Sequence, residues 1–419
     1  MEYVTITGKN RLHGAIEISG SKNAALPIIA ATLLCDKKIV LSNVPKLLDI
    51  NTMLLLLTSL GVDIKEEKKN FIINSRSIRS MEAKYDLVSK MRASFLVLGP
   101  LLSRFGKAIV SLPGGCAIGT RPVDLHLYAM QQLGAEIELK DGYVVAKTSR
   151  KGLSGNKINF PKISVGATEN AIMAAVFAKG ETLITNCARE PEIIDLCNFL
   201  NSLGAKIEGV GSKAILIEGV QELKSIKYTI IPDRIETCTY IVAAAITKSN
   251  LKIKKIISKD IINFLEIIKS MGLEIETNSH ELTVNSSGSL GPINVKTEEY
   301  PGFPTDMQAQ LMTLACISEG VSIIEENIFE NRFMHVPELN RLGADISIVG
   351  NKAIIKGNNK FIGAEVMATD LRASVSLILA GLAAEGKTKI NRIYHLDRGY
   401  ENIDNKLSNC GAKILRGKH

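Results

Sequence analysis

Two hydrophobic patterns alternate along the 419-residue chain. The first is a nearly unbroken apolar run of helical length. It recurs as KNAALPIIAATLL, MRASFLVLGPLLSRFG, ATENAIMAAVFAKG, IETCTYIVAAAITKS, TDMQAQLMTLACISEG and TDLRASVSLILAGLAAEG. A helix that is apolar around most of its circumference must be enclosed by protein on most sides. The second is a shorter helix that ends at a glycine and runs into alternating apolar and polar positions. Its six copies read SLGVDI, QLGAEI, SLGAKI, SMGLEI, RLGADI and NCGAKI. Their glycines, Gly61, Gly134, Gly204, Gly272, Gly343 and Gly411, are 73, 70, 68, 71 and 68 residues apart.

So regular a spacing predicts an internal repeat. Each glycine is expected to close its helix in a left-handed cap before the strand begins. The unit therefore reads as apolar helix, strand, second helix and further strand, which is an α/β class. Six units divide into two domains of three, over residues 22–229 and 230–419. The leading segments YVTITG and GAIEISG must pair with one of these halves, and periodicity alone leaves open which. If they close a sheet in the second half, the chain crosses between domains twice, near residue 20 and at YTIIPDR near residue 230.

Composition narrows the class without changing this picture. Hydrophobic residues make up 46% and charged residues 22%, as in globular proteins. No apolar run reaches the roughly 18 residues of a membrane span, so no membrane insertion is expected. The opening MEYVTITGKNRLHG lacks the features of a signal peptide, which makes a cytoplasmic location the default. The seven cysteines show no close metal-ligand spacing and read as buried free thiols, with one exception taken up next. The net charge of +8 suits an anionic partner. Zinc-finger spacing and a basic stripe with interleaved aromatics are both absent from the sequence, so a phosphate-bearing metabolite is favoured over nucleic acid.

The exceptional thiol is Cys116 in LPGGCAIGTRP. Gly114, Gly115 and Gly119 argue for a loop that bends or approaches a ligand rather than a packed core. Arg121 nearby would favour a reactive thiolate. The loop lacks the length and ending of a phosphate-binding P-loop. A Cys–His hydrolase would have to recruit His126, His335 or His395 from distant segments and is disfavoured. Other polar residues gather where the apolar helices begin: Lys22, Asn23, Arg92, Glu169, Asp306, Asp370 and Arg372. Helix starts favour anions, so Lys22 is the odd member unless it shares an anion with an arginine. Asp306 and Asp370 stand where ordinary N-caps would. Two further loops, with Asn331, Arg332 and His335 in one and His395, Asp397 and Arg398 in the other, occupy equivalent places before the second helix of units five and six.

Taken together, GSKNAALP, SLPGGCAIGTRPVDLHL, SVGATEN, CAREPEI, FPTDMQAQ, FENRFMHVPEL, ATDLRAS and YHLDRGYE resemble the enolpyruvyl transferases. The resemblance spans essentially the whole chain. Within that family it is to the branch acting on UDP-N-acetylglucosamine, because the shikimate-pathway branch is not expected to carry the cysteine loop. The resemblance implies an inside-out α/β barrel fold with two similar domains of three repeated α/β units. It places residues 1–21 with 230–419 and leaves 22–229 as the domain carrying the cysteine loop. It implies transfer of the enolpyruvyl group of phosphoenolpyruvate to the sugar 3-hydroxyl through a tetrahedral intermediate. That reaction is the first committed step of peptidoglycan precursor synthesis and needs no metal or organic cofactor.

By the same resemblance Cys116 is a general acid and the residue that fosfomycin alkylates. Lys22, Arg121 and Arg398 hold the donor's phosphate and carboxylate, with Asn23, Arg92 and Arg372 beside them. Asp306 serves the sugar 3-hydroxyl and Asp370 assists proton transfer. The nucleotide sugar is contacted by Asn23, Arg92, Arg121, Pro122, Val123, Asp124, Leu125, Lys162, Ser164, Val165, Gly166, Asp306, Ile328 and Phe329. Two positions depart from the pattern: Leu48 stands where lysine is common, and Tyr300 where some members have histidine. A sister activity with a shikimate acceptor and a non-catalytic sensor of the nucleotide sugar are the rival readings.

Overall fold

The computed structural model describes residues 2–113, 122–286 and 288–418. Cys116 and Arg121 lie outside the described residues. The chain divides into two compact units. One contains the residues up to Ser19 together with those from Pro232 onward, and the described residues between Gly20 and Ile231 form the other.

Among the described residues the strands form six four-stranded sheets, three in each unit, all with one topology. A short leading strand pairs in parallel with the strand that follows the apolar helix, and an antiparallel pair of strands, a hairpin in five of the six, completes the sheet. In the fifth repeat the leading strand is Asn294–Lys296, beside Val321–Glu325. The hairpin is Asp345–Val349 with Lys352–Lys356. Alternation sets one face of each sheet inward, as in Lys38–Ser42, where Ile39 and Leu41 are buried and Lys38 is not. The apolar helices lie inside these sheets. In Arg234–Ile246 every residue from Ile235 onward is buried. In Leu371–Ala383 every residue from Arg372 onward is buried. Helices inside and sheets outside is the inside-out α/β arrangement.

All six repeat glycines have φ between 87° and 106°, the left-handed conformation that a side chain resists. In the first repeat the Gly61 and Val62 amides donate back to Thr58 O and Leu57 O, which ends the helix Leu48–Leu60 before its strand.

Three sheets take a strand from far along the chain. Ile226–Thr229 supplies the leading strand of the first repeat, with Ile226 opposite Ile39. Glu2–Thr7 lies between Lys387–Asn391 and Lys413–Lys418 in the sixth repeat, with Tyr3 facing both Asn391 and Gly417. The strand Ala15–Glu17 leads the fourth repeat, parallel to Asn250–Lys254. Residues 20–231 are therefore inserted between a leading strand and its helix. The crossing segments are pinned inside each unit. Asp233 N donates to Ser19 O at 2.9 Å in one, and Ser21 N to Ile231 O at 2.7 Å in the other. The Lys406 ammonium secures Ser19 further by donating to its Oγ at 2.7 Å and to Glu236 Oε1 at 2.6 Å.

Candidate active site

In the unit spanning Gly20 to Ile231, Ser21 caps the helix Lys22–Ala31 by accepting from Ala24 N at 3.2 Å. The Lys22 ammonium that opens this helix donates to Asp49 Oδ2 at 3.2 Å, and both side chains are largely buried. Asp49 thus meets the cation that sequence reasoning found out of place. Leu48, just before it, is 45% exposed at the start of Leu48–Leu60. The helix Lys22–Ala31 packs on the 3₁₀ turn Arg92–Val97, and Arg92 Nη2 donates to Pro122 O at 3.0 Å. Pro122 and Val123 lead into Asp124–Gln132, which packs against Val165–Ala175. Gly166 permits that approach: a Cβ there would lie 3.1 Å from the His126 ring. Asn170 Nδ2 meets His126 Nδ1 at 2.8 Å. Pro122–Leu125 and Lys162–Gly166 are brought side by side in this way, with Pro122, Asp124, Lys162 and Val165 exposed. Glu169 is different. Burial, and then the charges of Glu192 and Glu190, hold its carboxyl well above the usual carboxylate range.

The other unit holds Asp306, in the 3₁₀ turn Thr305–Met307 before Gln308–Ile317. It is not a cap. Arg332 Nη2 donates to its Oδ1 at 2.8 Å, and Arg372 Nη2 donates to its Oδ2 at 2.9 Å. Both guanidinium side chains are buried, while Asp306 is 29% exposed. Burial acts to weaken the Arg372 guanidinium's hold on its proton, but the Asp306 charge more than reverses this and leaves it above the ordinary value. Beneath the pair, Arg372 Nη1 reaches Tyr400 Oη at 3.3 Å. That hydroxyl also meets Thr239 Oγ1 at 2.9 Å and accepts from Gln310 Nε2 at 3.2 Å. These supporting residues left no signal in the sequence, because a buried polar residue in an apolar helix shows its partner only after folding.

Asp370 is the N-cap of Leu371–Ala383 and accepts from the amides of Arg372 and Ala373 at 2.8 and 3.1 Å. The ordinary capping reading holds for this carboxylate, which also acts on two histidines. His395 sits in the 3₁₀ turn Ile393–Arg398, its pKa lowered by burial and then by Arg398 and Arg392, against the pull of Asp370. His335 is 1% exposed, and burial pushes its imidazole down to about 4, with Asp370 opposing and Arg332 assisting. The unfolded chain protonates this group near 6.5, so unfolding takes up a proton between about pH 4 and 6.5. The stability involved is complete above 6.5 and is lost as pH falls toward 4, by about 3 kcal/mol. The drop in melting midpoint from pH 7 to pH 5 should therefore shrink in His335→Gln. An unchanged pH dependence would show that His335 is not the group responsible.

Ile328 and Phe329 lie in the loop after Val321–Glu325, and the Arg332 guanidinium sits 5.4 Å from the centre of the Phe329 ring. The expected site residues are divided between the two units. Lys22, Asn23, Arg92 and the 122–125 and 162–166 segments lie in one. Asp306, Ile328, Phe329, Asp370, Arg372 and Arg398 lie in the other. Among the described residues no cluster of His, Cys, Asp or Glu could hold a metal ion, and the six described cysteines are buried and free.

Residues 6–407 match the family model described as EPSP synthase (3-phosphoshikimate 1-carboxyvinyltransferase). The chain belongs to the enolpyruvyl transferase family. Curated members similar to this enolpyruvyl transferase include the UDP-N-acetylglucosamine 1-carboxyvinyltransferase of Pelagibacter ubique, 57% identical over 99% of this chain and 100% of the relative. Those of Sulfurovum sp. and Rickettsia bellii are 53% and 54% identical over 99% of this chain, covering 99% and 100% of their own lengths. Among solved structures, the enolpyruvyl transferase NikO of Streptomyces tendae is similar, with a TM-score of 0.90 and 25% identity over 100% of this chain and 99% of its own. An EPSP synthase from Acinetobacter baumannii shares the fold, with a TM-score of 0.79 at 18% identity and full coverage of both chains. Among the described residues of this family member, no helix is long and apolar enough to cross a membrane.

Proposed function

We propose that this chain transfers the enolpyruvyl group of phosphoenolpyruvate to the 3-hydroxyl of UDP-N-acetylglucosamine with release of phosphate. The observation that carries the reading is the 57% identity, over essentially both full lengths, to a UDP-N-acetylglucosamine 1-carboxyvinyltransferase. The reaction is addition followed by elimination through a tetrahedral intermediate, as the committed step of peptidoglycan precursor synthesis in the cytoplasm. Cys116, outside the described residues, delivers a proton to the methylene carbon of the donor and is the site of alkylation by fosfomycin. Lys22, Arg121 and Arg398 gather positive charge for the donor's phosphate and carboxylate, where charge develops during addition. Asp306, fixed between two guanidinium groups, orients the acceptor hydroxyl. Arg92 and Arg372 support this cationic set, Asp370 assists proton transfer, and Asn23 contacts the sugar. Contacts to the nucleotide sugar come from Pro122–Leu125, Lys162 and Ser164–Gly166 in one unit and from Ile328 and Phe329 in the other.

The description of the matching family model favours one alternative, shikimate 3-phosphate as acceptor. Parallel assays of phosphate release from phosphoenolpyruvate decide between them. Release with UDP-N-acetylglucosamine alone is expected. Release only with shikimate 3-phosphate would replace the acceptor. Silence with both, from a protein that still binds the nucleotide sugar, would favour a sensor over an enzyme.

A further inference from the structure

We infer that Glu326 is a positioning residue that locks the turn carrying Asp306 to the loop carrying Ile328 and Phe329. The inference rests on the proposed function for the roles of those residues. Glu326 follows the strand Val321–Glu325 and is only 4% exposed. Its Oε1 accepts from Ile328 N at 2.9 Å, from Phe329 N at 3.1 Å and from Thr297 Oγ1 at 2.9 Å. Its Oε2 accepts from Thr305 Oγ1, next to Asp306, at 2.9 Å. Thr297 is itself fully buried and accepts from Asn327 N at 2.8 Å, so the loop is fastened at three successive amides.

All four of these donors are neutral. A carboxylate at this depth loses most of its hydration, and the hydrogen bonds offset that loss only while all are in place. Packing alone would be served by an apolar side chain. The four bonds instead join two segments that have separate tasks. Arg332 forms a second link between the same segments, holding Asp306 Oδ1 while lying over the Phe329 ring. Thr305, Glu326, Phe329, Arg332 and Asp306 thus form a closed circuit within one unit. A nucleotide sugar seated on the loop then meets a carboxylate whose place relative to that loop is already fixed.

The two ends of the brace can be cut separately in the full-length enzyme. Thr305→Val removes only the bond on the Asp306 side. It is expected to lower kcat about tenfold while the Kd for UDP-N-acetylglucosamine, by calorimetry, stays within about twofold. Glu326→Ala frees both segments, so Kd should rise and kcat should fall, each by about tenfold or more. Glu326→Gln keeps an oxygen for the loop amides, and its NH₂ can donate to Thr305 Oγ1. It should return both constants to within about threefold of wild type. If Glu326→Ala fails to fold, the other two variants still decide. An unchanged kcat in Thr305→Val overturns the inference. So does a loss of binding in that variant as large as its loss of turnover, since that would mark general loosening. A wild type that turns over neither acceptor overturns the functional reading and this role with it.

Discussion

Asp306→Ala is expected to lower kcat by about 10²- to 10⁴-fold, the span measured for groups that serve a proton at the reacting centre. It should also weaken the fold. Two buried guanidinium groups, Arg332 and Arg372, converge on this carboxylate at 2.8 and 2.9 Å. Removing it takes away the carboxylate that both guanidinium groups share. Breaking one partner of a buried pair costs about 3–5 kcal/mol, and the low end applies here because Asp306 is 29% exposed. Asp306→Asn keeps the shape and one acceptor oxygen, so it should lose comparable activity with less loss of stability. Phosphate-release kinetics beside urea unfolding separate the two effects. Wild-type turnover in a folded Asp306→Ala would remove this residue from the mechanism.

The second large effect is expected at Cys116. Replacing it by alanine should reduce phosphate release by about 10²-fold or more, because the proton for the donor's methylene carbon then has no poised source. Binding of UDP-N-acetylglucosamine should be untouched, since the thiol serves the other substrate. Intact-protein mass spectrometry supplies an independent readout. Wild type should gain the mass of one fosfomycin, and Cys116→Ala should gain nothing. A variant that turns over normally, or that still takes up the inhibitor at one site, would overturn the assignment.

Much of the fold was legible because repetition amplifies weak signals. One glycine between a helical pattern and an alternating strand means little, but six at nearly constant spacing required a common unit with a capped helix. All six glycines have the conformation this demands. The short leading strands Ala15–Glu17 and Ile226–Thr229 were harder to place. Three or four residues carry too little periodicity, and their partners lie far away in sequence. The candidate site was legible in part for a similar reason. Charged residues at the starts of apolar helices stand out, which exposed Lys22, Asp306 and Arg372. Asp49 and Glu326 did not stand out: each is one carboxylate among 43 acidic residues until folding buries it against particular partners. Asp306 and Asp370 occupy the same place in the pattern, yet one faces two arginines and the other caps its helix.

The strand Glu2–Thr7, seated between Lys387–Asn391 and Lys413–Lys418, has a consequence during synthesis. Residues 20–231 contain every strand of their own three sheets, so that unit can assemble once Ile231 has left the ribosome. At about 5–20 residues per second, the opening strand then waits roughly ten seconds or more for its two partners. During that time it is an unpaired β-segment, and Tyr3, Val4 and Ile6 are candidates for chaperone capture. Pulse-labelled chains halted after Ile231 should resist protease across the inserted unit while the first 19 residues are still cut.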